Sequence, residues 1–232
     1  RFAVETGAKV KAVVAPHAGY IYSGPIAASS FAALKALQGK VSRVVMLGPA
    51  HRVPVEGLAV PSADFFATPL GNIPVDREAI EKISKLPQVV LSDEAHAPEH
   101  ALEVHLPFLQ EVLVDFKIVP LVVGDSTPLQ VAEVLDLLWG GPETLIDISS
   151  DLSHFLDYET ARTTDGWTAR AIENLRPQDI RAEHACGRIP LNGLLLLAEK
   201  HRLRATTLDL RNSGDTAGDK DRVVGYGAWM FA

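Results

Sequence analysis

Three histidines stand at matching places in the chain. His17 follows the run VKAVVAP, and His51 follows VSRVVMLGPA. His154 comes after the run TLIDIS, with Asp151 three residues before it. Imidazole is a ligand for zinc, copper, iron and nickel, and it is the side chain that carries protons near neutral pH. A lone histidine often caps a helix or fills a polar gap. Three that each follow an apolar run point instead to one site that holds a metal ion or moves a proton.

Cys186 is the single cysteine, and it precedes the turn Gly187-Arg188-Ile189-Pro190. A helix starting there, together with Arg188, would favour the thiolate, which is the form that binds metal or attacks. The plainer reading is a small buried hydrophobe. No CxxC spacing suggests a structural zinc site.

The segment EHALEVH offers Glu99, His100, Glu103 and His105. On a helix, His100 and Glu103 share a face at i and i+3, whereas His100 and His105 do not. The HExxH order is absent. The segment either supports the ligands from behind or carries a polar helix face. Tyr20 and Tyr22 flank the turn after His17 and line the cleft. Ser150 and Ser153 lie near His154, but GxSxG, GxGxxG and Walker patterns are all missing. His96, His184 and His201 read as surface residues.

These groups need rigid mounts. Residues 10–15 and 41–47 are apolar and rich in β-branched residues, which predicts buried strands. Residues 117–123 and 144–149 predict two more, 89–91 a short one, and 204–210 and 223–231 two closing strands. Helices are predicted from Pro25 to Gly39, over 76–86, over most of 99–114 and over 128–138. Two more follow over 158–175, with a break at Gly166, and over 190–201. Residues 53–74 are punctuated by proline and glycine and read as short strands and loops. No repeat, linker or low-complexity stretch interrupts this order. Alternating strands and helices predict a single α/β domain over 1–232, a three-layer α/β/α sandwich around a mixed, mostly parallel sheet. Its ligand edge is where the strands end.

Composition narrows the classes. The 232 residues are 47% hydrophobic and 22% charged, as in an ordinary globular protein. The balance of 22 basic against 29 acidic residues gives a net charge of −7, which argues against nucleic acid as a partner. No apolar run is long enough to span a bilayer. One cysteine allows no internal disulfide and points to a reducing, cytoplasmic compartment.

The stretches APHAGYIYSG, GPAH, TPLG with VD at 68–76, EHALEVHLPFL, ISSDLSHF, CGRIP and NSGD with VVGYGA together resemble the Memo family. Its prokaryotic members are called AmmeMemoRadiSam system protein B. The resemblance runs across essentially the whole chain in the same order. The family's usual N-terminal segment is missing, and the chain begins at Arg1 without methionine, as a trimmed protein would. The family is similar in fold to the class III extradiol dioxygenases, the LigB-like group, which hold non-haem Fe(II) with two histidines and a carboxylate. The resemblance implies that His17 and His51 are metal ligands and that Cys186 takes the place of the carboxylate. It implies that His154 is an acid/base histidine, with Asp151 beside it. A thiolate shifts the expected ion toward copper, zinc or a thiolate-ligated Fe(II), so ring cleavage is not inherited with the fold. One non-haem ion is expected, Fe(II) or copper ahead of zinc. The expected function is metal-dependent redox chemistry. The alternatives are an adaptor whose cleft holds a small molecule or a phosphotyrosine-type peptide, or a zinc hydrolase. The family name implies radical-SAM and AMMECR-type proteins as partners.

Overall fold

The computed structural model describes residues 9–232. The elements run in the order β1 (Ala12–Ala15), α1 (Tyr20–Ala32), β2 (Arg43–Pro49), β3 (Leu58–Val60), β4 (Phe65–Thr68), β5 (Gly71–Pro74), α2 (Arg77–Ile83), β6 (Val89–Leu91) and α3 (Asp93–His96). Then come α4 (Leu106–Val112), β7 (Lys117–Val123), α5 (Pro128–Leu138), β8 (Thr144–Ser149), β9 (His154–Leu156), α6 (Tyr158–Glu173), α7 (Arg188–Lys200), β10 (Ala205–Asn212) and β11 (Val223–Phe231).

The main sheet has the order β10-β11-β1-β8-β2-β7-β3-β6, with β9 added alongside β11. Its centre, β1-β8-β2-β7, is parallel throughout. Apart from Arg43 and Lys117 at their starts, every residue of these four strands is buried. Strands apolar on both faces must be covered on both. Helices flank the sheet on each side, giving the three-layer α/β sandwich. Antiparallel partners complete the edges, with β11 against β1 and β10, and β3 against β7. The β4–β5 hairpin forms a separate small sheet.

The helix starts follow local chemistry. Asp76 caps α2 by accepting the Ala79 N–H at 3.1 Å. Thr127 and Gln130 form a reciprocal capping box on α5. Asp157 caps α6 through the Thr160 N–H at 3.0 Å.

Three helix expectations are corrected. Helix α1 begins at Tyr20 rather than at Pro25, which sits inside it and withholds one N–H. It gives way to a 3-10 turn, Ala33–Leu37, before Gly39. Helix α6 passes through Gly166 without a break. In the segment 99–114, only α4 is α-helical, preceded by a 3-10 turn at Glu103–His105. Residues 99–102 are not helical, because the Glu99 carboxylate takes the N–H groups of His100 at 2.9 Å and Ala101 at 3.0 Å. A side chain that satisfies nearby backbone donors competes with the helix for them. His100 and Glu103 therefore share no α-helical face.

Candidate metal centre

Parallel register brings the ends of β1, β8 and β2 to one edge, with Ala15 beside Ser149 and Leu47 beside Ile148. The loops leaving these ends carry His17, Asp151 and His51. Cys186 arrives from the segment before α7, and it is tied to the β8 exit through the backbone. Its N–H donates to the Asp151 carbonyl at 3.2 Å, and the Asp151 N–H donates to its Sγ at 3.3 Å. Ligand atoms of His17, His51 and Cys186 all lie within 4.8 Å of one another. His17 Nε2 is 3.5 Å from Cys186 Sγ. Two imidazoles and a sulfur at this spacing suit a borderline or soft ion.

His17 is 2% exposed. Its backbone N–H donates to Asp151 Oδ1 at 2.8 Å, and its Nδ1 lies 2.7 Å from the Ser149 hydroxyl. Burial lowers its pKa to about 4, so the ring is neutral at pH 7 and can offer a lone pair. His51 is more open, its side chain 30% exposed. Glu99 grips it twice, accepting its backbone N–H at 2.6 Å and facing its Nδ1 at 3.0 Å. Burial pushes Glu99 up, but these bonds and the Ala101 N–H outweigh it and hold the carboxyl at about 2. His100 completes a cluster of rings. It stacks on His51 at 5.7 Å and meets His17 edge-on at 5.8 Å.

Other expectations change. Cys186 is not poised as a thiolate. Burial, then the nearby Asp151 charge, pushes its thiol up to about 12. Desolvation of the sulfur exceeds what the helix end returns. Asp151, beside His154 in the chain, makes its contacts with His17 and Cys186. The Leu152 carbonyl instead holds His154 Nδ1 at 2.8 Å. His154 lies on β9, paired with Val224 of β11, and is exposed outside the three-residue group. Its neighbour Phe155 has φ of 60°, a strained value for an aromatic residue, and is also exposed. Tyr20 donates its hydroxyl to the Val104 carbonyl at 2.9 Å and packs on Phe108. Tyr22 lies partly exposed on α1, and Glu103 is exposed in its 3-10 turn.

Behind the site lies a pair that sequence reasoning missed. His105 and Asp147 are fully buried, Nδ1 to Oδ2 at 2.9 Å. His105 Nε2 reaches the carbonyl of Pro16, the residue before His17, at 3.1 Å. Burial pulls this imidazole's pKa down, but Asp147 and the Pro16 carbonyl outweigh it and raise it overall. The acid inside the predicted strand TLIDIS was the available signal, because a charge inside a buried strand demands a partner.

A crevice of about 370 Å³ reaches Cys186 from the α7 side, lined also by Ala50, Val55, Asp125, Arg188 and Ile189. Among the described residues, no helix is long and apolar enough to cross a membrane.

The chain matches the family model described as Memo-like protein over residues 1–230. It is 38% identical over 232 residues to a MEMO1 family protein of Ignicoccus hospitalis, covering 93% of this chain and 80% of that protein. It is 35% identical to a MEMO1 family protein of Metallosphaera sedula, covering 94% and 82%. Among solved structures it resembles the crystal structure of uncharacterized protein JW3007 from Escherichia coli K12. The TM-score is 0.61 at 15% identity, over 94% of this chain and 99% of that one, a likeness of fold. On the family match across residues 1–230 and the 35–38% identity to these relatives, the chain belongs to the Memo-like family.

Proposed function

We propose that His17, His51 and Cys186 hold one redox-capable metal ion, Fe(II) or copper, and that the protein uses it in oxidoreductive chemistry. The observation that carries this reading is the meeting of three donor atoms within 4.8 Å at the sheet's ligand edge. Such an ion, when bound, supplies electron transfer or Lewis-acid activation. The chain's own groups do the rest. Asp151 accepts the His17 backbone N–H and gives its own to the sulfur, which fixes two ligands against each other. Glu99 anchors His51 at two points. His154, its Nδ1 held by the Leu152 carbonyl, is the exposed imidazole assigned to take or give a proton at Nε2. The crevice of about 370 Å³ beside Cys186 has the volume for a small molecule, which supports this reading.

A second reading is an adaptor that binds a peptide or a partner, of the radical-SAM or AMMECR type. It is favoured by exposed apolar side chains, with Ile21 68% and Phe155 61% exposed. Elemental analysis of protein purified anaerobically without chelator, followed by oxygen uptake, separates the two. The oxidoreductase reading expects iron or copper near one per chain. It also expects His154→Ala to keep the metal while losing about two to four orders of magnitude in turnover. Loaded wild type no faster than free metal would leave only the binding cleft.

A further inference from the structure

The hydrogens around the two histidines can be counted from their partners. Ser149 has one hydroxyl proton and donates it to the Ala101 carbonyl at 2.5 Å. The same oxygen lies 2.7 Å from His17 Nδ1. With its proton committed, Ser149 can only accept there, so His17 Nδ1 carries the hydrogen. His51 reaches the same state by another route. Its Nδ1 faces Oε1 of the Glu99 carboxylate, which only accepts. Each ring, in its neutral form, is left with a bare Nε2, and for His17 that atom is the one facing Cys186 Sγ.

The two acceptors share a mount. Glu99 Oε1 also takes the Ala101 N–H, while the Ala101 carbonyl takes the Ser149 hydroxyl. Ala101 is fully buried, and its two backbone groups serve one histidine each. Gly48 of β2 makes room for this turn. A Cβ there would stand 3.0 Å from Leu102 Cδ2, 3.1 Å from the Ala101 Cβ and 3.4 Å from the Ser149 Cβ. The turn is thus seated against β2, which delivers His51, and β8, whose last residue is Ser149.

We propose that Ser149, Ala101 and Glu99 act as one positioning unit, which fixes both His17 and His51 as Nδ1–H tautomers and presents their Nε2 atoms to the metal as a pair. This rests on the metal-holding reading and extends it to residues outside the ligand set. Positioning groups behind ligating histidines are worth about 10–100-fold in metal affinity.

Nitrogen-15 NMR of histidine-labelled, metal-free protein reads the tautomers directly, with His17→Ala and His51→Ala assigning the signals. Both rings should carry hydrogen on Nδ1. Ser149→Ala should release the His17 tautomer and weaken Zn(II), measured by chelator competition, about 10–100-fold. Glu99→Gln should do the same for His51. The double variant should cost clearly less than the product of the singles, because either cut loosens the shared turn. An Nε2–H tautomer on either wild-type ring overturns the proposal. So does a Ser149→Ala protein with His17 unchanged, or strict additivity in the double variant. The tautomer measurement needs no metal. If the tautomers are as stated and no ion binds, the metal reading fails while the assignment of Ser149 and Glu99 survives.

Discussion

The Cys186 sulfur faces His17 Nε2 at 3.5 Å, with the imidazole buried and the cysteine half-buried. With the thiol pushed up to about 12 and the imidazole down to about 4, the metal-free pair is neutral at pH 7. Metal-free protein should therefore react with iodoacetamide more slowly than a model thiol at pH 7, and faster as pH rises. Zn(II) uptake should release about one proton per ion and tighten with increasing pH, since the thiol must deprotonate to bind. A thiol as reactive as free cysteine at pH 7 would contradict this.

Loss of either histidine should be felt by the ion. His17→Ala and His51→Ala should each weaken metal binding by at least about tenfold, because two donors make a poor site. His201 stacks on Trp139 at 4.1 Å, away from the three-residue group. His201→Ala should leave metal affinity unchanged. Equal metal content in all three variants would remove the site.

Asp165 gives a pH signature in stability. It is 2% exposed, and burial raises its carboxyl to about 6 although it accepts the Ser153 N–H. A carboxyl that binds its proton more tightly in the fold stabilises the fold at low pH. That contribution fades as pH climbs from about 4 through about 6. Asp165→Asn should flatten this decline, by on the order of 2–3 kcal/mol, in denaturant melts across that window. Parallel pH profiles for the two proteins would refute it.

The pair His105–Asp147 should behave as a unit. Asp147→Asn or His105→Gln alone should cost about 3–5 kcal/mol, since each strands a buried charge. Replacing both with apolar residues of similar volume should recover much of that loss, and urea unfolding measures all three. Singles that cost nothing would mean the pair is not ionised.

Much of the frame was legible because its signal is local. The runs at 117–123, 144–149 and 223–231 are strands with the predicted ends, and α5 spans the predicted 128–138. Histidines at two strand exits could be placed at one edge because parallel strands end together. What escaped depended on partners distant in the chain. Pro25 reads as a helix start until the turn at Gly19 shows room for five residues before it. The helical look of 99–102 yields to one buried carboxylate, whose other partner, His51, lies 48 residues away. Ser149 reads as the end of a strand and nothing more, because its role needs His17 on one side and Ala101 on the other. Asp151 sits near His154 in sequence, yet the fold spends it on His17 and Cys186.

The placement of β8 between β1 and β2 has a consequence for how this protein comes into being. Strands in a sheet stand about 4.8 Å apart, so the two histidine-bearing strands are separated by the full width of a third. That third strand begins at Thr144, more than a hundred residues after β1. A chain emerging from the N-terminus has both histidines in hand long before the strand that spaces them. If β1 and β2 paired directly, they would have to part again to admit β8. Assembly of the centre is therefore a late, non-local event, and such pairings are slow. Metal capture, followed in real time during refolding, would report the closing of the sheet rather than the formation of any local element.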